Sequence, residues 1–176
     1  MNGEAGDDTF LESGVDTEYT VAENRGDDND VLNGGTNTAS GRDLADYSER
    51  AATVNLSICM DTSKPTGNSA LVTPQCTDSD GAAAEADKLV NVTHVIGGAG
   101  ADVIKGHTAD DILEGGDGAD EIYGAAGVDA LFGDAGDDHL DGGDDADTFD
   151  GDNVTNTNDG DICIIETGET NVNCEL

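Results

Sequence analysis

The chain has 176 residues, room for one domain of ordinary size, and its 40 Asp and Glu against 6 Lys and Arg leave a formal net charge of −34. That balance excludes nucleic-acid phosphates and anionic membrane surfaces as partners, because both are held by clustered Lys and Arg. No apolar run reaches the ~20 residues of a membrane span, and with aromatics at 3% and no Trp a conventional ring-filled core is excluded as well.

In chain order, the first elements are glycine–aspartate turns, each leading into an apolar residue. GEAGDDTFL (residues 3–11) sets Asp8 two positions before Phe10, and RGDDNDVLN (25–33) sets Asp30 two before Leu32. After Gly34 and Gly35, GRDLADYS brings Asp43 to the corresponding place. DYSERAATVNLSI, and later ADKLVNVTHVIGG, read as longer coils interleaved with such units. Residues 59–88 carry Lys64, Pro65, Gly67, Pro74 and the small-residue run GAAAEAD. Proline and glycine at that density break regular elements, so this stretch is expected to leave the repeat as an excursion.

From Gly97 the chain divides without a gap into six nonapeptides: GGAGADVIK, GHTADDILE, GGDGADEIY, GAAGVDALF, GDAGDDHLD and GGDDADTFD. Position one is always glycine, from Gly97 to Gly142. Position six is always aspartate: Asp102, Asp111, Asp120, Asp129, Asp138 and Asp147. Position eight is always large and apolar: Ile104, Leu113, Ile122, Leu131, Leu140 and Phe149. Glycine at positions one, two and four allows φ > 0, so the first six residues are expected to form a tight turn with inward carbonyls. Positions seven to nine are then a very short strand, useless alone but able to build an apolar column when coils stack. Lys105 is the last basic residue, and residues 106–176 hold 21 carboxylates. A folded state needs a positive charge that the chain does not supply. An all-oxygen donor set points to Ca²⁺ rather than Zn²⁺.

The pattern GGxGxDxUx in residues 97–150 resembles the RTX (repeats-in-toxin) calcium-binding nonapeptide. The resemblance implies an all-β fold, a right-handed parallel β-roll whose 18-residue coils each take two nonapeptides, with calcium ions between turns. One ion would take carbonyls of positions two and four and the aspartate of one turn, with carbonyls of positions one and three and the aspartate of the turn 18 residues on. Carried over, one side holds a set Gly98, Gly100, Asp102, Gly115, Asp117 and Asp120, then a set Gly116, Gly118, Asp120, Gly133, Ala135 and Asp138. The other side holds His107, Ala109, Asp111, Gly124, Ala126 and Asp129, then Ala125, Gly127, Asp129, Gly142, Asp144 and Asp147. Asp8, Asp30, Asp43 and, after the insertion GDNVTNTNDGDICII, Asp161 are outlying members of the aspartate series. The chain then divides into degenerate coils (1–58), the excursion (59–88), the regular roll (89–162) and a C-terminal cap (163–176).

Four cysteines allow three pairings, and the local one, Cys59–Cys76 with Cys163–Cys174, is the expected one. Without CxxC or a suitably spaced histidine they do not read as a zinc site, so disulfides in an oxidising compartment are the better reading. GxSxG, HExxH, P-loop and EF-hand patterns are all missing, and the chain is read as no enzyme in itself. MNGEAGDD is no signal peptide, and the chain is read as a fragment of a larger exported protein, secreted or at the cell surface. The expected function is a calcium-binding module that folds on meeting extracellular Ca²⁺ and serves as a folding, stability or spacer element. The alternatives are a module of a secreted hydrolase whose catalytic domain lies elsewhere, or an adhesin-like module that binds through residues 59–88.

Overall fold

The computed structural model describes residues 92–152 without a break. It also describes residues 9–11, 18–20, 31–33, 44–48, 52, 55–60, 81–82, 88–90, 160–165, 168, 170–172 and 174. The strands among them are β1 (Thr9–Leu11), β2 (Glu18–Thr20), β3 (Val31–Asn33), β4 (Leu44–Asp46), β5 (Leu56–Cys59), β6 (Gly81–Ala82), β7 (Lys88–Val90) and β8 (His94–Ile96). They continue with β9 (Val103–Lys105), β10 (Ile112–Asp117), β11 (Glu121–Ala126), β12 (Ala130–Ala135), β13 (His139–Asp144), β14 (Thr148–Asp152), β15 (Ile162–Ile164) and β16 (Thr170–Val172). No helix among the described residues is long and apolar enough to cross a membrane.

Successive strands from β8 to β16 alternate between two sheets. One has the order β16-β14-β12-β10-β8-β4-β2 and the other β15-β13-β11-β9-β5-β6, with a separate sheet β1-β3-β7. Neighbours in the repeat region are parallel and 18 residues apart: Ile104 lies opposite Ile122 and Ile122 opposite Leu140, while Leu113 lies opposite Leu131 and Leu131 opposite Phe149. Two nonapeptides therefore make one coil, and residues 97–150 make about three. This is the parallel β-roll that the repeat implies.

A strand of this length buries one large side chain, and position eight supplies it. Ile104, Leu113, Ile122, Leu131 and Leu140 are 0% exposed and Phe149 is 2% exposed. Val95 and Ala45 extend one file, Ile58 the other, and all join a single apolar cluster. Each such burial is worth roughly 1.5–3 kcal/mol, and the column exists only because coils stack.

Two features depart from expectation. Strands β10 to β13 have six residues and run on through positions one to three of the following repeat, so the turn proper is confined to positions four to six. The position-one glycines also do not owe their identity to φ > 0, since none of them adopts it. A Cβ on Gly106 would lie 2.6 Å from Asp111 Oδ2, and one on Gly133 would lie 2.6 Å from the Gly151 carbonyl. Position one is glycine because the next coil and the repeat's own aspartate fill the space.

Beyond Asp150 the pitch widens: Leu140 pairs with Cys163 and Phe149 with Asn171. Cys163 sits in the apolar column and is bonded to Cys174, with Cα atoms 5.7 Å apart, as expected for that pair. Cys76, and with it the Cys59–Cys76 pairing, lies outside the described residues. Upstream, Phe10 is in register with Leu32 and Leu32 with Leu89.

Candidate metal centre

Side chains alternate along a strand, so position six points to the same interior as position eight. Asp102, Asp111, Asp120, Asp129, Asp138, Asp147 and Asp161 are all between 1% and 2% exposed. They form two files, one leading into each long sheet. Asp102, Asp120, Asp138 and Asp161 precede β9, β11, β13 and β15, and Asp111, Asp129 and Asp147 precede β10, β12 and β14. Within a file each carboxylate after the first is wired to the coil before it. Asp120 Oδ1 accepts the Asp102 amide at 2.7 Å, Asp138 Oδ1 the Asp120 amide at 2.8 Å, and Asp161 Oδ1 the Asp138 amide at 2.9 Å. Across the roll, Asp129 Oδ1 accepts the Asp111 amide and Asp147 Oδ1 the Asp129 amide, both at 2.8 Å. Asp102, at the start of the regular file, accepts the Leu56 amide at 2.8 Å instead. The coil at 55–58 thus stacks directly on the array, 46 residues away in sequence.

The turn carbonyls face one another across the gap between coils. At positions two and four they point forward: the Gly98 oxygen accepts the Asp117 amide at 3.1 Å, the His107 oxygen accepts the Ala126 amide at 3.3 Å, and the Ala109 oxygen lies against Gly127. At positions one and three they point back: the Ala135 oxygen accepts the Gly118 amide at 2.6 Å, and the Gly133 and Gly142 oxygens lie against Gly115 and Gly124. Each inter-turn gap therefore gathers carbonyls from both its turns beside a file of carboxylates.

One oxygen of each central carboxylate has no partner. Asp120 Oδ2, Asp129 Oδ2 and Asp138 Oδ2 are buried without a hydrogen bond. Burial raises the pKa of Asp120 to about 7, of Asp129 to about 7 and of Asp138 to about 8. The amide each accepts pulls the other way, and carboxylates of neighbouring coils add to the rise. Asp102 is raised by burial against the amides of Leu56 and Gly98. Asp134, at position two, is raised by burial and then by Glu114, Asp150 and Asp117. Buried anions stacked without a counter-charge are unfavourable. A hard cation in the gaps would meet both the orphaned oxygens and the carbonyls. Among the described residues no three His, Cys, Asp or Glu side chains converge on one point.

The family model of the RTX calcium-binding nonapeptide repeat (4 copies) matches the chain over residues 96–131 and 123–157. The chain carries RTX calcium-binding repeats. They are its β-roll, and calcium binding is a property of that repeat family. A comparison with curated proteins finds no match.

Of the residues singled out in the sequence, Asp102, Asp111, Asp120, Asp129, Asp138, Asp147 and Asp161 take equivalent buried places. Asp8, Asp30 and Asp43 lie outside the described residues. Sequence reasoning missed the position-five aspartates. Asp110 Oδ1 accepts the Val128 amide and Asp137 Oδ1 the Gly160 amide, both at 2.9 Å, tying turn to turn on the outer edge. It also missed that position two takes two conformations. Gly116, Ala125, Asp134 and Gly143 have φ between +70° and +103°, whereas Gly98 and His107 do not adopt positive φ.

Proposed function

We propose that the array binds several Ca²⁺ ions between its turns and folds as it does so, as the calcium-dependent module of an exported protein. The observation that carries this reading is the set of buried, unpartnered carboxylate oxygens of Asp120, Asp129 and Asp138 beside opposed carbonyls. The favoured sets are Gly98, Gly100, Asp102, Gly115, Asp117 and Asp120; Gly116, Gly118, Asp120, Gly133, Ala135 and Asp138; and Ala125, Gly127, Asp129, Gly142, Asp144 and Asp147. In them only the aspartates at position six bind through side chains; every other member offers its carbonyl. The module acts as a folding, stability or spacer element, with degenerate coils at 1–58, an excursion at 59–88, the roll at 89–162 and a cap at 163–176. Extracellular calcium and a disulfide suit a secreted or cell-surface setting.

The test is a calcium titration followed by far-ultraviolet circular dichroism. Asp120 lies in two of the proposed sets, so Asp120→Ala removes a carboxylate from two ions and should raise the calcium midpoint several-fold. Asp117→Ala, which deletes an equal charge but leaves a carbonyl, should shift it little. Equal shifts for both would mean bulk charge, and the assigned columns would not be ligands. Mg²⁺ should substitute poorly, because it demands octahedral geometry and holds its water tightly.

A further inference from the structure

The fourth set that the repeat implies (His107, Ala109, Asp111, Gly124, Ala126, Asp129) is built differently from the other three. His107 stands at position two, where the other turns have glycine, alanine or aspartate. Its backbone amide and its imidazole Nδ1 both donate to the same carboxylate oxygen, Asp111 Oδ2, each at 2.8 Å. In Asp120, Asp129 and Asp138 the corresponding oxygen is buried and unpartnered. At those three turns the position-two residues, Gly116, Ala125 and Asp134, have φ of +103°, +87° and +70°. Neither Asp120, Asp129 nor Asp138 is bonded to its own position-two amide, whereas His107 keeps an ordinary φ with its amide turned in.

The remaining oxygen, Asp111 Oδ1, is buried without a partner. It takes the place from which Asp120, Asp129 and Asp138 accept the amide of the aspartate one coil earlier. At Asp111 the residue one 18-residue coil earlier is Thr93 rather than an aspartate. This oxygen therefore belongs to the side of Asp111 away from the turn 124–129.

Asp102 also accepts its own position-two amide, from Gly98 at 2.7 Å, but glycine has no side chain to bring a second donor to that oxygen. Glycine reaches φ > 0 without steric cost, as Gly116 does one coil later, and such a turn releases its carboxylate readily. At the His107 turn two donors on one oxygen must let go together, and a residue with a Cβ must enter the left-handed region.

We propose that His107 stands in for the cation on Asp111. This turn then contributes no calcium ligand, and the file on its side of the roll begins at Asp129. The inference rests on the calcium reading above and deepens it, by stating which of the inter-turn gaps the ion leaves out.

Counting bound ions tests it, by native mass spectrometry of the full 176-residue chain in saturating Ca²⁺, with circular dichroism on the same samples to report folding. His107→Gly should bind one ion more than wild type. Asp111→Ala should leave the wild-type count unchanged, yet remove the added ion when combined with His107→Gly. Asp129→Ala should lose ions in both backgrounds. An unchanged count in His107→Gly, or an ion lost from Asp111→Ala alone, overturns the inference. The calcium reading itself fails on a different result: no ion bound by wild type or by any variant.

Discussion

Stripping calcium at mildly alkaline pH should unfold the roll, and acid should bring it back without calcium. In the ion-free fold Asp120 and Asp129 titrate near 7 and Asp138 near 8, against an ordinary 3.8. Holding Asp120 or Asp129 ionised above its folded pKa costs on the order of 4 kcal/mol. The repulsion is partly shared between neighbours, so these costs do not simply add, yet two of them rival the ~5–15 kcal/mol that stabilises an ordinary domain. The sign follows from linkage. A carboxyl whose folded pKa is raised favours the fold when protonated, and that advantage disappears as pH rises through the folded pKa. Lowering the pH from 8 to 5.5 in chelator should therefore return about 2 kcal/mol for each of Asp120 and Asp129 and about 3 kcal/mol for Asp138. At 5.5 unperturbed carboxylates remain ionised, so the recovery reports the buried files. The assay is far-ultraviolet circular dichroism in chelator at low salt across that range, with a calcium-saturated sample as reference. A strong β signal at pH 8 without calcium, or one that weakens on acidification, refutes the reasoning.

Three further outcomes are expected. Gly133→Ala places a Cβ 2.5 Å from Asp138 Oδ2 and 2.6 Å from the Gly151 carbonyl, so it should cost ~1–3 kcal/mol in calcium-loaded thermal melts. Gly160→Ala, whose nearest neighbour among the described residues would be 3.6 Å away, should cost far less. Leu131→Ala empties a fully buried place between Leu113 and Phe149 and should destabilise by ~2–5 kcal/mol in denaturant, while Val128→Ala, at a position 55% exposed, should barely register. Cys174→Ser removes the closure of an 11-residue separation, worth up to ~3 kcal/mol. Hydrogen exchange should then quicken at β15 and leave β10 to β12 protected.

The nine-residue period determined the short strands and the position-eight apolar column, and through its resemblance to the RTX nonapeptide it implied the parallel roll. All three depend on local spacing repeated without interruption, so every coil solves the same packing problem and its period is written in the chain. What tertiary structure decided depends on the neighbouring coil. The position-one glycines are demanded by a carbonyl 18 residues on and by a carboxylate folded back within the repeat, neither of which follows from glycine's own conformational freedom. The Leu56 amide on Asp102 joins residues 46 apart in sequence, a contact that the nine-residue period does not record. At Asp111 the repeat makes His107 look like one more carbonyl donor, because a column records residue type and not where a side chain turns. Only the folded turn brings its imidazole 2.8 Å from the carboxylate, since that contact depends on a backbone conformation the next coils do not share.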